Sequence, residues 1–282
     1  MAVRQNSLAE AAIPVAREGT RTSFLLRLVA PLLLGLLFLA AWEAFVRLES
    51  IPPYILPGPL LILDTLIKDW GTLSGSLWVT MQTTILAFIC AALGGLGLAI
   101  FFAQSRLIEL SLFPYAVILQ VTPIVAIAPL IIIWVKDTEA ALLICAWIVA
   151  FFPVVSNTTL GLNSADHNLL DLFQLYGASR RQMLWLLRLP NAMPYFLAGL
   201  RISGGLALIG AVVAEFVAGT AGSESGLAYR ILESGYRLNI PRMFAALFLI
   251  SVAGVAIFLL LTLVQYLVLR RWHESAVARE NR

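Results

Sequence analysis

The sequence predicts an all-α polytopic membrane protein with six transmembrane helices. Three observations carry that prediction. The chain is 60% hydrophobic and only 12% charged, with a mean hydropathy of +0.90, far from the composition of soluble domains. Several of its apolar runs reach the roughly 20 residues that cross a bilayer core as helix. Leucine, alanine, isoleucine and glycine dominate those runs, without the alternation of a barrel strand. The formal net charge is a modest +3 and comes mostly from arginines in tails and loops, so it speaks to topology and not to nucleic-acid binding.

Residues 1–22 are polar and mixed, with Arg4, Arg17 and Arg21, and read as a cytoplasmic tail. Phe24 to Val46 is the first span. A cleaved signal peptide competes with it, because basic residues precede the run and Leu39-Ala40-Ala41 offers small residues. The long tail and the continuing apolarity through Trp42, Phe45 and Val46 favour a retained anchor. Between Glu49 and Ser76, Pro52, Pro53, Pro57 and Pro59 forbid one continuous helix. The second span covers about Leu77 to Ala103, where Gly94, Gly95 and Gly97 allow close approach of a neighbouring helix.

A short turn at Gln104–Glu109 leads to the third span, about Leu112 to Val135. This span contains Pro123 and Pro129, whose missing N–H groups free carbonyls that a neighbour or a wet cavity must satisfy. A packing kink and a helix lining the translocation path are both open readings. Lys136, Asp137 and Glu139 make a tight external loop before the fourth span, Ala140 to Leu162. The fifth span runs from Tyr195 to about Gly219 and the sixth from Phe244 to Leu269, with a glycine-rich polar segment, Thr220 to Arg242, between them. Residues 273–282 form a second cytoplasmic tail, which leaves 23–272 as one transmembrane domain.

Residues 164–191 are the longest polar interruption in the second half. Within them, DLFQLYGASRRQMLWLLRLP (Asp171–Pro190) predicts a short helix, a break at Gly177, a second helix capped by Ser179 and a stop at Leu189-Pro190. The six-span topology puts this elbow on the side of the amino terminus. Lys68 and Lys136, the only lysines, fall on the opposite side with Arg47, Arg230, Arg237 and Arg242, while the remaining arginines lie on the elbow's side. By that bias the elbow and both termini are cytoplasmic.

The elbow resembles the EAA loop of ABC-transporter permeases, in which Glu-Ala-Ala is followed at fixed spacings by Gly, an aliphatic residue and Leu-Pro. Gly177, Leu187, Leu189 and Pro190 stand at the matching positions, and Asp171 takes the acidic one; Leu172 and Phe173 replace the two alanines. Further runs are similar to the nitrate/sulfonate/taurine branch of the type I permease family: Leu56-Pro57-Gly58-Pro59, the stretch Thr122 to Leu130, Phe152-Pro153 with Asn157, and Ala214-Glu215 with Gly226-Leu227. After Trp134 the usual Phe-Gly is replaced by Val135-Lys136.

This resemblance implies a type I ABC importer permease, a multi-pass protein of the bacterial plasma (inner) membrane that forms a path for a small solute and has no catalytic activity of its own. The solute would be a nitrate-, sulfonate- or taurine-like anion, or a vitamin or pyrimidine precursor. The implied partners are two ABC ATPase subunits, a second permease chain expected to be an identical copy, and a periplasmic or lipid-anchored solute-binding protein, in addition to membrane lipid. Asp171, Gly177, Ala178, Ser179, Leu187, Leu189 and Pro190 would contact the ATPase. No cofactor is expected here: the chain has no G-x-x-x-x-G-K-[ST] run, so ATP would bind the partner.

Pro123, Pro129 and Glu215 are candidate path residues. For Glu215, flanked by Val213 and Phe216 on the fifth span, a structural hydrogen bond and a gating role are both open. Cys90 and Cys145 read as small buried hydrophobes, and neither they nor His167 and His273 have metal-ligand spacing. A secondary transporter driven by an ion gradient is the rival class, opposed by the lack of a clear internal repeat. A membrane hydrolase fails because Gly222-Ser223-Glu224-Ser225-Gly226 has glutamate at the nucleophile position.

Overall fold

The computed structural model describes residues 24–219 and 225–270; both predicted tails, and part of the Thr220–Arg242 segment, lie outside them. The elements in order are α1 (Phe24–Leu48), α2 (Pro59–Lys68), α3 (Trp70–Gln104), α4 (Arg106–Val121), α5 (Ile124–Val135), α6 (Thr138–Asn163), α7 (His167–Leu175), α8 (Arg180–Met183), a π turn (Leu184–Arg188), α9 (Leu189–Ala218), α10 (Leu227–Tyr236) and α11 (Ile240–Leu269). Five helical stretches are long and apolar enough to cross a bilayer, and a sixth crossing exists if α4 and α5 are taken as one broken span.

The core is the packing of α6 on α9 and of α3 on α6. Small residues make it possible. A Cβ added at Gly95 would sit 2.8 Å from Val154 of α6, and one at Gly210 would sit 2.8 Å from the Ala146 backbone. Ala87, Ala146, Ala150, Ala207 and Ala211 are fully buried between the same helices. Without a hydrophobic force between helices in lipid, such close approach supplies the dispersion contact that holds them. Ser203 adds a buried crosslink, its hydroxyl donating to the Ala150 carbonyl at 2.7 Å. Gly97, predicted to share this role, has open space around it, because two residues further on the helix has turned away from α6. Cys90 is likewise exposed, whereas Cys145 is buried as expected.

Three predicted boundaries need correction. The second span starts at Trp70, seven residues before the predicted Leu77, because α2 ends at Lys68 and α3 begins after Asp69 alone. The third span is not one helix. It breaks at Thr122-Pro123 with a bend of 100° between α4 and α5, and the Thr122 hydroxyl and N–H both turn back to the Ile118 carbonyl. Finally, Pro190 does not stop a helix. The chain stays helical from Arg180 to Ala218, so the fifth span begins well before Tyr195. The π turn explains how: the Leu189 N–H donates to the Leu184 carbonyl five residues back. The widened turn leads Pro190 into the first turn of α9, where a missing N–H costs least.

The helices place two clusters at opposite ends of the bundle. One end holds α2, α10 and the starts of α3, α6 and α11. The other holds the α3–α4 junction, the end of α6, α7, α8 and the π turn.

Candidate coupling site

At the second end, the elbow is built by local chemistry. Asp166 caps α7, accepting from the Asn168 N–H at 2.8 Å. Helix α7 ends where Gly177 adopts φ +68°, a left-handed conformation that side chains disfavour by roughly 1–2 kcal/mol. The Gly177 N–H donates to the Gln174 carbonyl and the Ala178 N–H to the Phe173 carbonyl, each at 2.9 Å, so the last carbonyls of α7 are satisfied. Ser179 then opens the next helix with a reciprocal box. Its hydroxyl accepts from the Gln182 N–H at 3.3 Å, and the Gln182 side-chain carbonyl accepts from the Ser179 N–H at 2.8 Å. The sequence showed Ser179 as a cap; the return bond from Gln182 was missed, although Ser179-x-x-Gln182 is itself a capping-box signature.

Asp171, Gly177 and Ser179 are exposed, Ala178 is half-buried, and Leu187, Leu189 and Pro190 are half-buried against the bundle. The seven predicted residues therefore split into an exposed tip and an anchored base. Apolar side chains without a partner crowd the tip, with Leu175 and Tyr176 exposed at 85% and 84%. The base is tied down. Leu184 is buried with Ala99, Leu162 and Ala192, Arg188 donates to the Ala103 carbonyl at 3.3 Å, and the Asn191 amide donates to the Gly161 carbonyl and the Ser164 hydroxyl.

The predicted path residues do not gather in one place. Pro123, at the break just before α5, and Pro129, inside α5, are both exposed. Glu215 is 1% exposed at the opposite end, where its Oε2 accepts from the Ala228 N–H at the start of α10 at 3.0 Å. On α3, the Thr80 hydroxyl accepts from the adjacent Leu227 N–H at 2.9 Å. A Cβ on Gly226 would collide with the carboxyl. One carboxyl oxygen thus ties α9 to α10, while Oε1 is buried without a hydrogen-bond partner, so both readings of Glu215 stay open. Arg201 lies with its guanidinium 5.2 Å from the Phe258 ring centre, a cation–π contact at the bundle surface. No group of three or more His, Cys, Asp or Glu that could hold a metal occurs among the described residues.

Residues 91–274 match the family model described as "Binding-protein-dependent transport system inner membrane component". The chain belongs to that family. This permease is 35% identical over 225 residues to a probable ABC transporter permease protein of Haemophilus influenzae, covering 80% of this chain and 90% of the relative. It is 34% identical over 277 residues to the riboflavin transport system permease protein RibX of Chloroflexus aurantiacus, covering 93% and 98%. With a putative aliphatic sulfonates transport permease protein SsuC of Bacillus subtilis, identity is 32% over 226 residues, covering 79% and 80%. A solved amino acid ABC transporter superimposes at a TM-score of 0.59 with 19% identity, covering 71% of this chain and 96% of that one, which supports the fold alone. The permease is thus a multi-pass membrane subunit of an ABC importer, non-catalytic, and its family works with an ATPase and a solute-binding protein. That sets aside the ion-driven rival.

Proposed function

We propose that the elbow is the surface on which the ATPase docks, with Leu175 and Tyr176 beside Asp171, Gly177, Ala178 and Ser179 at the contact, and that it faces the cytoplasm with both termini. The observation that carries this reading is the unbroken helix from α8 into α9. A load on the tip passes through Leu187, Leu189 and Pro190 into a helix of 30 residues, about 45 Å long, joined to the tip by one continuous helical stretch. At its far end, Glu215 holds α10, so tilting α9 moves the opposite face of the bundle. ATP binds the partner, two ATPase copies serve two identical permease chains, and the exposed faces of α4 and α5 with Pro123 and Pro129 border the path. The solute is a small organic molecule of the classes named for the relatives, a flavin-type heterocycle ahead of an alkanesulfonate. The alignment with the riboflavin relative is both longer and more identical than that with the sulfonate relative.

The test is Gly177→Val in the assembled transporter reconstituted in vesicles. Uptake is expected to fall at least tenfold while ATP hydrolysis continues, because strain of about 1–2 kcal/mol reshapes the tip with no clash against the bundle. Gly177→Asn, which tolerates the conformation, is expected to retain most uptake. A cross-linker at Ala178 or Ser179 should capture the ATPase; capture of lipid alone, or full uptake in Gly177→Val, would sink the assignment.

A further inference from the structure

Behind the elbow lies a cavity of about 570 Å³ between the α3–α4 junction and the α8–π segment, within the range of ligand sites. Arg106, Arg180 and Arg188 line it together with Gln104, Ser105 and Gln174, and no carboxylate is among its lining residues. Arg106 pairs with Glu109 at 2.9 Å. Arg180 and Arg188 have no carboxylate partner among the described residues, and Arg188 is half-buried with the Ala103 carbonyl as its bonded acceptor. The cavity therefore carries about two uncompensated positive charges.

A second observation points the same way. The sixteen-residue α4 starts at this cavity, and Ser105 at its N-cap makes no side-chain capping bond. The first-turn N–H groups of α4 and the Ser105 hydroxyl are thus free to donate, and the helix dipole adds positive potential at the same point. Planar guanidinium forks beside an uncapped helix start suit the multiply accepting oxygens of a phosphate.

The surroundings identify the source. Leu107, next to Arg106, is 73% exposed, and Trp185 and Leu186, between the cavity residues Leu184 and Arg188, are 63% and 66% exposed. Exposed apolar and tryptophan side chains beside arginines mark the membrane–water boundary. A basic pocket at that depth matches an anionic headgroup whose chains stay in the bilayer. We propose that this cavity is a phosphate site occupied by the headgroup of an acidic phospholipid, held by Arg180 and Arg188 with the start of α4. A lipid there would wedge between the elbow's base and the α3–α4 junction, contacting the segment through which the proposed coupling load passes. The site does not depend on that reading, and the test uses the permease chain without its ATPase.

The chain, purified in mild detergent, is exposed to mixed micelles of phosphatidylglycerol and phosphatidylcholine, and retained lipid is counted by native mass spectrometry. The parent is expected to retain phosphatidylglycerol over phosphatidylcholine. Arg180→Gln with Arg188→Gln should lower that retention about tenfold or more, Arg180→Lys with Arg188→Lys should lower it less, and Arg237→Gln at the opposite end should leave it unchanged. Displacement of the lipid by millimolar inorganic phosphate would support one shared anion site. Phosphate binding that is lost in the double glutamine variant, with no lipid retained by the parent, would keep the anion chemistry and overturn the lipid as its source. Equal retention of both lipids by the parent, which needs no variant to fold, together with no phosphate binding, would overturn the site altogether. So would undiminished phosphatidylglycerol retention in the folded double glutamine variant.

Discussion

The two ends of this bundle are held in opposite ways. At the α10 end, polar groups distant in sequence meet one another: Glu215 with Ala228, Thr80 with Leu227, Arg230 with Ser76 at 2.9 Å, and Arg242 with Asp69 at 3.2 Å. Glu233 gathers Arg230 and Arg237, each at 2.9 Å. At the elbow end the tip is stabilised almost wholly by bonds within a few residues, and only its base is tied to other helices. The α10 end is a closed latch, while the elbow is a self-supporting tip presented outward. The asymmetry fits the proposed coupling role, because the latch would make helices move together and a preformed tip would lose little conformational freedom on docking.

The largest expected effect comes from breaking the latch. Glu215→Ala leaves the Ala228 N–H buried without its acceptor, at about 1–3 kcal/mol for the stranded group. A clear drop in the thermal midpoint in detergent is expected, with Glu215→Gln falling between that variant and the parent. A midpoint equal to the parent's would mean that the two ends are not held differently after all.

A smaller, local effect is expected at the tip. Ser179→Ala removes one half of the capping box at a cost of about 1 kcal/mol, and hydrogen exchange at residues 180–183 should quicken while the global midpoint barely moves. If the midpoint fell as far as in the latch variant, the tip would be part of the cooperative core.

The smallest effect is a pH dependence confined to the α10 end. The hydrogen bond from Arg230 is the main reason that the Glu233 carboxyl sits below its ordinary value of 4.5, and Arg230, Arg237 and Arg242 add charge attraction in the same direction. A depressed folded-state value gives stability that is present above pH 4.5 and lost as pH falls through the folded value. The acid limb of a melting profile should therefore be shallower in Glu233→Gln. Identical limbs would show that this ion cluster contributes nothing measurable, which is common for partly exposed pairs.

Elements whose causes lie within a few residues were legible from the chain alone. Apolar length announced the spans, Gly177 announced the break, and Ser179 announced the cap, because a left-handed turn and an orphan N–H are settled by immediate neighbours. Residues acting at a distance were not legible. The partners of Glu215 and Thr80 could not be named until α10 was seen to bring Ala228 to the one and Leu227 to the other, the latter 147 positions away in the chain. Gly95 and Gly97 look equivalent in a row of letters, yet only one of them faces α6. Pro190 looked like a stop, but a π turn carried the helix past it, with Leu184 buried at the base. The division follows from range: local sterics and hydrogen bonds are written in short words of sequence, whereas facing, pairing and continuity depend on which helix packs alongside.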